Sequence, residues 1–136
     1  MLGFFDFLGF GSKRRSALQL FDRTLVQMEV NLAYIDDGMR FAIFKWASAM
    51  ANESGDTLDH LMREAAALMS FCVLGPAETE TLWGAETRAA REARFQAVLD
   101  RAEEDSFDAM LIKLTLAKAI AAPDIRARVG LETDPA

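Results

Sequence analysis

The sequence predicts an all-α fold: a single domain built as a bundle of about four main helices, with a long first helix that bends part-way along. Three observations predict it. Leu18, Phe21, Leu25, Met28, Leu32, Ile35, Met39, Ile43, Trp46 and Met50 follow one another at steps of three or four, one apolar stripe at helical period. The remaining segments are rich in Ala, Leu, Met, Glu and Arg, and only three prolines and eight glycines interrupt the whole chain. No segment shows the period-two alternation with β-branched residues that marks a half-buried strand. At 136 residues and 51% hydrophobic, the chain has the size and composition of one domain with a real core. It divides into an apolar and basic arm over 1–15, a helical bundle over 16–129 and a polar tail over 130–136.

The arm opens MLGFFDFLGFG and continues SKRR. Its glycines argue against a stable isolated helix, since each costs about 1 kcal/mol relative to alanine. Leu2, Phe4, Phe5, Phe7, Leu8 and Phe10 cannot all face one side of so short a segment. With Lys13, Arg14 and Arg15 behind them they form an aromatic anchor with a basic collar, suited to a partner's groove or a membrane interface. The competing reading is an arm folded back on its own bundle.

The first long helix begins near Ser12 or Ser16, either a good N-cap. Unbroken from Ser16 to Ala51 it would measure roughly 54 Å, against roughly 35–40 Å for a compact domain of this size. Asp36-Asp37-Gly38 is the cheapest place to bend, and the in-phase step from Ile35 to Met39 favours a bend over a loop. A second apolar row, Val26, Val30, Ala33, Phe41 and Phe44, makes this helix apolar round more than half its circumference, as suits a central helix. Asn52–Asp56 reads as a loop, with Ser54 or Asp56 capping a helix striped by Leu58, Leu61, Met62, Ala65, Leu68, Met69 and Cys72. Its second half is almost wholly apolar and should be buried all round. Gly75-Pro76 stops it, and a short turn of helix follows over Ala77–Trp83, ended by Gly84. A charged helix over Ala85–Glu104 has a thin stripe of Phe95, Val98, Leu99 and Ala102, and that stripe meets Arg91 and Arg88 when extended backwards. Ser106 caps a final apolar helix over Phe107–Ala121, which Ala122-Pro123-Asp124 ends, with a further turn over Asp124–Val129.

Charge and composition exclude several functions. The formal net charge is −6, with a local +2 in the first 15 residues, so the body repels phosphate and nucleic-acid binding is not expected. A lone cysteine, Cys72, cannot form an internal disulfide, which fits a reducing compartment. No apolar run reaches the length of a membrane span, and the N-terminus is apolar first and basic second, the reverse of a secretory signal. A cytoplasmic location is expected, with membrane association only through the arm. His60, the single histidine, sits in the exposed first turn of its helix, so no histidine-based metal, haem or triad chemistry is readable. Cys72 lies in an apolar run where burial suppresses the thiolate. No Gly-rich loop follows a strand. No catalytic residues, metal ligands or cofactor are therefore assigned.

Function is expected to be non-enzymatic: a small interaction module, such as an adaptor, a regulator or an accessory subunit. Its arm would contact another protein, its own copy in a homodimer or larger complex, or a membrane surface. The alternative is a bundle with an internal pocket for an apolar ligand or cofactor, lined by Phe41, Phe44, Trp46 and Phe71. One structural expectation is sharper. Asp22, Glu29 and Asp36 recur every seven residues beside the main stripe, and at least one of them should pair with Arg88 or Arg91.

Overall fold

The computed structural model describes residues 2–101 and 106–130, and side chains from residue 12 onward. Its described residues are all helical or loop, with no strand, as the sequence predicts. The described residues form seven α-helices where the sequence predicts about four main helices and two short turns: α1 (Leu2–Gln27), α2 (Asp37–Ser54), α3 (Leu58–Leu74), α4 (Pro76–Trp83), α5 (Ala85–Arg101), α6 (Phe107–Ala117) and α7 (Pro123–Arg128), with a 3-10 turn at Leu32–Tyr34. The polar tail beyond Gly130 and the expected end of the charged helix past Arg101 lie outside the described residues.

The main correction falls on the long first helix, which is two helices and not one bent rod. α1 ends in a Schellman turn. Val30 N–H donates to Leu25 O at 2.9 Å and Glu29 N–H to Val26 O at 3.1 Å, with Glu29 in the left-handed region at φ 62°. Leu25 and Val30, which bracket the turn, are both buried. The chain then crosses the 3-10 turn and restarts at Asp36, whose Oδ1 accepts from Met39 N–H at 2.8 Å as the N-cap of α2. The stripe nonetheless stays largely intact: Phe21, Leu25, Ile35, Met39 and Ile43 are buried on both sides of the break. The second row does not hold as a unit, for Val30 and Phe44 are buried while Val26 and Phe41 are half exposed.

At its other end α1 extends further than expected. Its backbone is helical from Leu2, across the boundary drawn at residue 15 and through Gly3, Gly9 and Gly11. Adding a residue to an existing helix needs no new nucleus, so a packed segment downstream can carry glycines that an isolated helix could not.

The hub is α3, not the first helix. Ala65 to Cys72 are buried without exception, and α1, α2, α4, α5 and α6 all pack against it. Thr57, rather than Ser54 or Asp56, caps it through Oγ1 to His60 N–H. Its C-terminus is held by Gly75 at φ 88°, where a side chain would be strained and would press on Ala122. Ala122 N–H in turn donates to Cys72 O at 2.9 Å, tying the α6–α7 link to the end of α3. α6 stops at Ala117, before the expected Ala121. A second Schellman turn with Ala119 at φ 58° ends it, Ile120 N–H reaching back to Thr115 O.

Asp36 also gives the fold a pH signature. The bond from Met39 N–H, followed by Lys118, whose Nζ stands 3.0 Å from Oδ2, holds its carboxyl below the usual 3.8. A folded pKa below the unfolded one means the carboxylate's contribution is complete above pH 3.8 and is lost as pH falls through the folded value. Asp36→Asn keeps a cap acceptor and removes only the charge. It is expected to be less stable than the native chain at neutral pH, with urea midpoints converging as the solution is acidified below that range. Midpoints that stay equally far apart in strong acid would show that the charge is not the cause.

Candidate functional site

The expected anchor residues Leu2, Phe4, Phe5, Phe7, Leu8 and Phe10 lie on the helical backbone of α1, outside the described side chains. The collar behind them is visible. Lys13 and Arg15 are exposed, whereas Arg14 is half-buried with its guanidinium carbon 5.9 Å from the centroid of the half-exposed Phe41 ring. Ala17 is the first fully buried residue of the chain's described side chains.

The four aromatics expected to line one internal pocket do not gather round one. Phe41 lies beneath Arg14 at the surface, Phe44 is in the core and Trp46 packs half-buried on the core's edge. Only Phe71 reaches a cavity, and it does so with different companions.

The acids of the first segment find other partners than those expected. Asp22 Oδ1 accepts from Arg40 Nε at 2.8 Å, and Asp36 pairs with Lys118. Glu29 is exposed at the turn. Arg88 stands 3.4 Å from Glu80 and 3.9 Å from Glu92, so neither acid of its surroundings comes from the first segment. The break at 28–36 explains this, because it takes the three acids off one continuous helix face.

Arg91 is left over. It is half-buried and makes no hydrogen bond or ion pair among the described residues. Burial pulls its pKa below the ordinary arginine value, an effect partly offset by the field of Glu64 and reinforced by the neighbouring charge of Arg94. The sequence signal was its position, a charge where the α5 stripe should be apolar. Arg91 lines a pocket of about 260 Å³, to which α1 and its end contribute Gln27 and Met28, α3 Ala67, Ser70 and Phe71, α4 Thr79 and Trp83, and α5 Thr87 and Arg91. Two wall hydroxyls are already committed: Ser70 Oγ donates to Met28 O at 3.0 Å, and Thr79 Oγ1 to Gly75 O at 2.8 Å. Trp83 stands partly exposed on the pocket's wall.

The remaining reactive side chains offer little chemistry. Cys72 is buried, and desolvation pushes its thiol up to about 12, so the thiolate nucleophile is scarce at neutral pH. His60 is exposed, 3.9 Å from Glu64. Among the described residues no three His, Cys, Asp or Glu side chains are grouped to hold a metal ion, and no helix is long and apolar enough to cross a membrane. No protein-family model, curated protein or solved structure matches the chain.

Proposed function

We propose that the chain is a small non-enzymatic interaction module, an adaptor or accessory subunit, which docks on a partner protein through the N-terminal part of α1. One observation carries this reading: the place where α1 leaves the core. Ser70 of α3 bonds to the last turn of α1 at Met28, and α1 packs more extensively on α3 than on any other helix. Among the described side chains Ala17 is the first buried one, Arg14 is half-buried, and Ser12, Lys13, Arg15 and Ser16 are exposed. On this reading the helix runs on past the bundle where its sequence becomes most aromatic.

A protein partner is favoured over a lipid surface by charge. The three basic collar residues are attached to a chain of net charge −6, which anionic headgroups repel. The test compares the full chain with one lacking residues 1–11, in thermal unfolding and in co-purification at native expression level. The truncated chain is expected to melt within about 2 °C of the full one, because few core contacts are lost. It should also lose one specific protein partner. A large fall in melting temperature would place the arm in the core and remove the main support for the reading. Binding of the full chain, but not the truncated one, to anionic vesicles would reassign the arm to membranes. Light scattering that shows the arm-dependent species to be a dimer would make the partner a second copy.

A further inference from the structure

We propose that the pocket bordered by α1, α3, α4 and α5 binds a small monocarboxylate with an apolar body, its carboxylate held by the Arg91 guanidinium. The proposal does not depend on the arm and would stand if the docking reading failed.

Counter-ions decide the first step. Arg88, Arg94 and Arg128 are provided for: Arg88 by Glu80 and Glu92, Arg94 by Asp108 and Glu64, Arg128 by Glu92. Glu64 is the acid whose field reaches Arg91, but its carboxylate stands at 3.5 Å from Arg94 and 3.9 Å from His60. Arg91 has thus given up part of its hydration without receiving a carboxylate of the described residues in return. A guanidinium in that state, facing a cavity, is a strong site for a planar anion that accepts two parallel N–H bonds.

The walls narrow the class. Among the described residues Arg91 is the only cation lining the pocket, so charge balance calls for a monoanion rather than a phosphate. Ser70 and Thr79 spend their hydroxyl protons on backbone carbonyls and present lone pairs, which gives an anion no second anchor there. Thr87 is different. It makes no hydrogen bond among the described residues, lies one helical turn before Arg91 on the same face, and sits in the first turn of α5 where the helix dipole favours negative charge. The carboxylate therefore belongs at the Thr87–Arg91 side. The rest of the ligand meets Phe71, Met28 and the Trp83 ring, which are apolar. A volume of about 260 Å³ lies below the range of drug-sized sites, so the body is short.

The test titrates the full-length chain with phenylacetate, butyrate and hexanoate, and with phenylacetamide as the neutral match of the first, by calorimetry and amide NMR. At least one carboxylate is expected to bind, with shifts concentrated at Ser70, Thr79, Thr87 and the Trp83 indole. Phenylacetamide should bind roughly tenfold or more weakly than phenylacetate. Arg91→Gln should erase that preference. Thr87→Phe, which fills the pocket beside Arg91, should abolish binding of acid and amide alike. Equal affinity for phenylacetate and its amide in the native chain would overturn the proposal without recourse to any variant. So would an Arg91→Gln chain that keeps the preference, or failure of all three carboxylates to saturate at millimolar concentration.

Discussion

Replacing Phe95 by alanine is expected to lower the unfolding free energy by roughly 3–5 kcal/mol. Domains of this size are commonly stable by only about 5–15 kcal/mol, so one side chain would decide a large part of the total. The reason is the composition of α5. Phe95 is its one fully buried residue, and Val98 and Leu99 beside it are only half-buried. Its ring meets Phe71 of α3 with centroids 5.7 Å apart and planes tilted by 51°, a favourable geometry for two quadrupoles. Arg128 of α7 lies over it at 5.2 Å. Truncation would empty a space walled by the most buried part of α3, which cannot collapse to fill it. It would also leave Arg128 without its aromatic face, worth about 0.5–1 kcal/mol in a site of this exposure. Urea unfolding measures the total, and hydrogen exchange locates it: α5 amides should lose protection before those of α3. Phe95→Leu should cost much less, because most of the volume remains. A Phe95→Ala chain destabilised by under about 1 kcal/mol would mean that α5 is not anchored through this ring.

Where helix ends are written in local chemistry, the sequence was legible. Ser106 caps α6, Gly75-Pro76 separates α3 from α4, and Gly84 separates α4 from α5, all as their residue types predict. The two ends that were misread share one cause. α1 and α6 both finish in Schellman turns whose left-handed residue is not glycine but Glu29 and Ala119. That conformation costs a non-glycine residue on the order of 1 kcal/mol, and nothing in the local sequence announces it. What offsets the cost is tertiary, the burial of Val30 against the core in the first case and the tie from Ala122 to Cys72 after the second. The first break was hidden further by its length. Met28, Leu32 and Ile35 remain part-buried or buried in the loop at spacings a helix would also give, so periodicity alone could not see the chain leave the helix.

The site was legible at two residues, Phe71, expected to line a pocket, and Arg91. Arg91 drew notice as a charge on an apolar stripe, but the partner expected for it was an acid of the first segment, argued on the premise of a continuous helix. Once Glu29 turns the chain, Asp22 meets Arg40 and Asp36 meets Lys118 instead. The pocket itself unites Arg91 with residues as far apart as Gln27, Ser70 and Thr79, each unremarkable in its own helix. A cavity between four helices is a property of their crossing, which no local pattern encodes.

The second large effect is expected at Arg94, which the sequence did not single out. It joins three helices. Its Nε and Nη2 donate to the two carboxylate oxygens of Asp108 on α6 at 3.0 and 2.8 Å, and its Nη1 donates to Glu64 O on α3 at 2.8 Å. The side chains of Arg94 and Asp108 are 24% and 29% exposed, intermediate between a surface pair and a buried one. Exposed pairs contribute about 0–1 kcal/mol and breaking a buried one costs about 3–5, so Arg94→Ala is expected to cost roughly 2–4 kcal/mol. Most of that comes from what it strands, a partly desolvated Asp108, with a smaller part from the lost second bond to the Glu64 carbonyl, which keeps its helical donor. Arg94→Lys keeps the charge, but one ammonium cannot span both carboxylate oxygens and the carbonyl, so it should recover less than half of the loss. A double-mutant cycle with Asp108→Ala should give a coupling of about 1–2 kcal/mol, reduced only slightly by added salt because the pair is partly shielded. Arg88 supplies the control. Its contact with Glu80 is 3.4 Å long with side chains 37% and 47% exposed, and Arg88→Ala should cost no more than about 0.5 kcal/mol. If urea unfolding gave Arg94→Ala and Arg88→Ala the same small cost, the three-helix clamp would be an ordinary solvated pair, and α5 would depend on Phe95 alone.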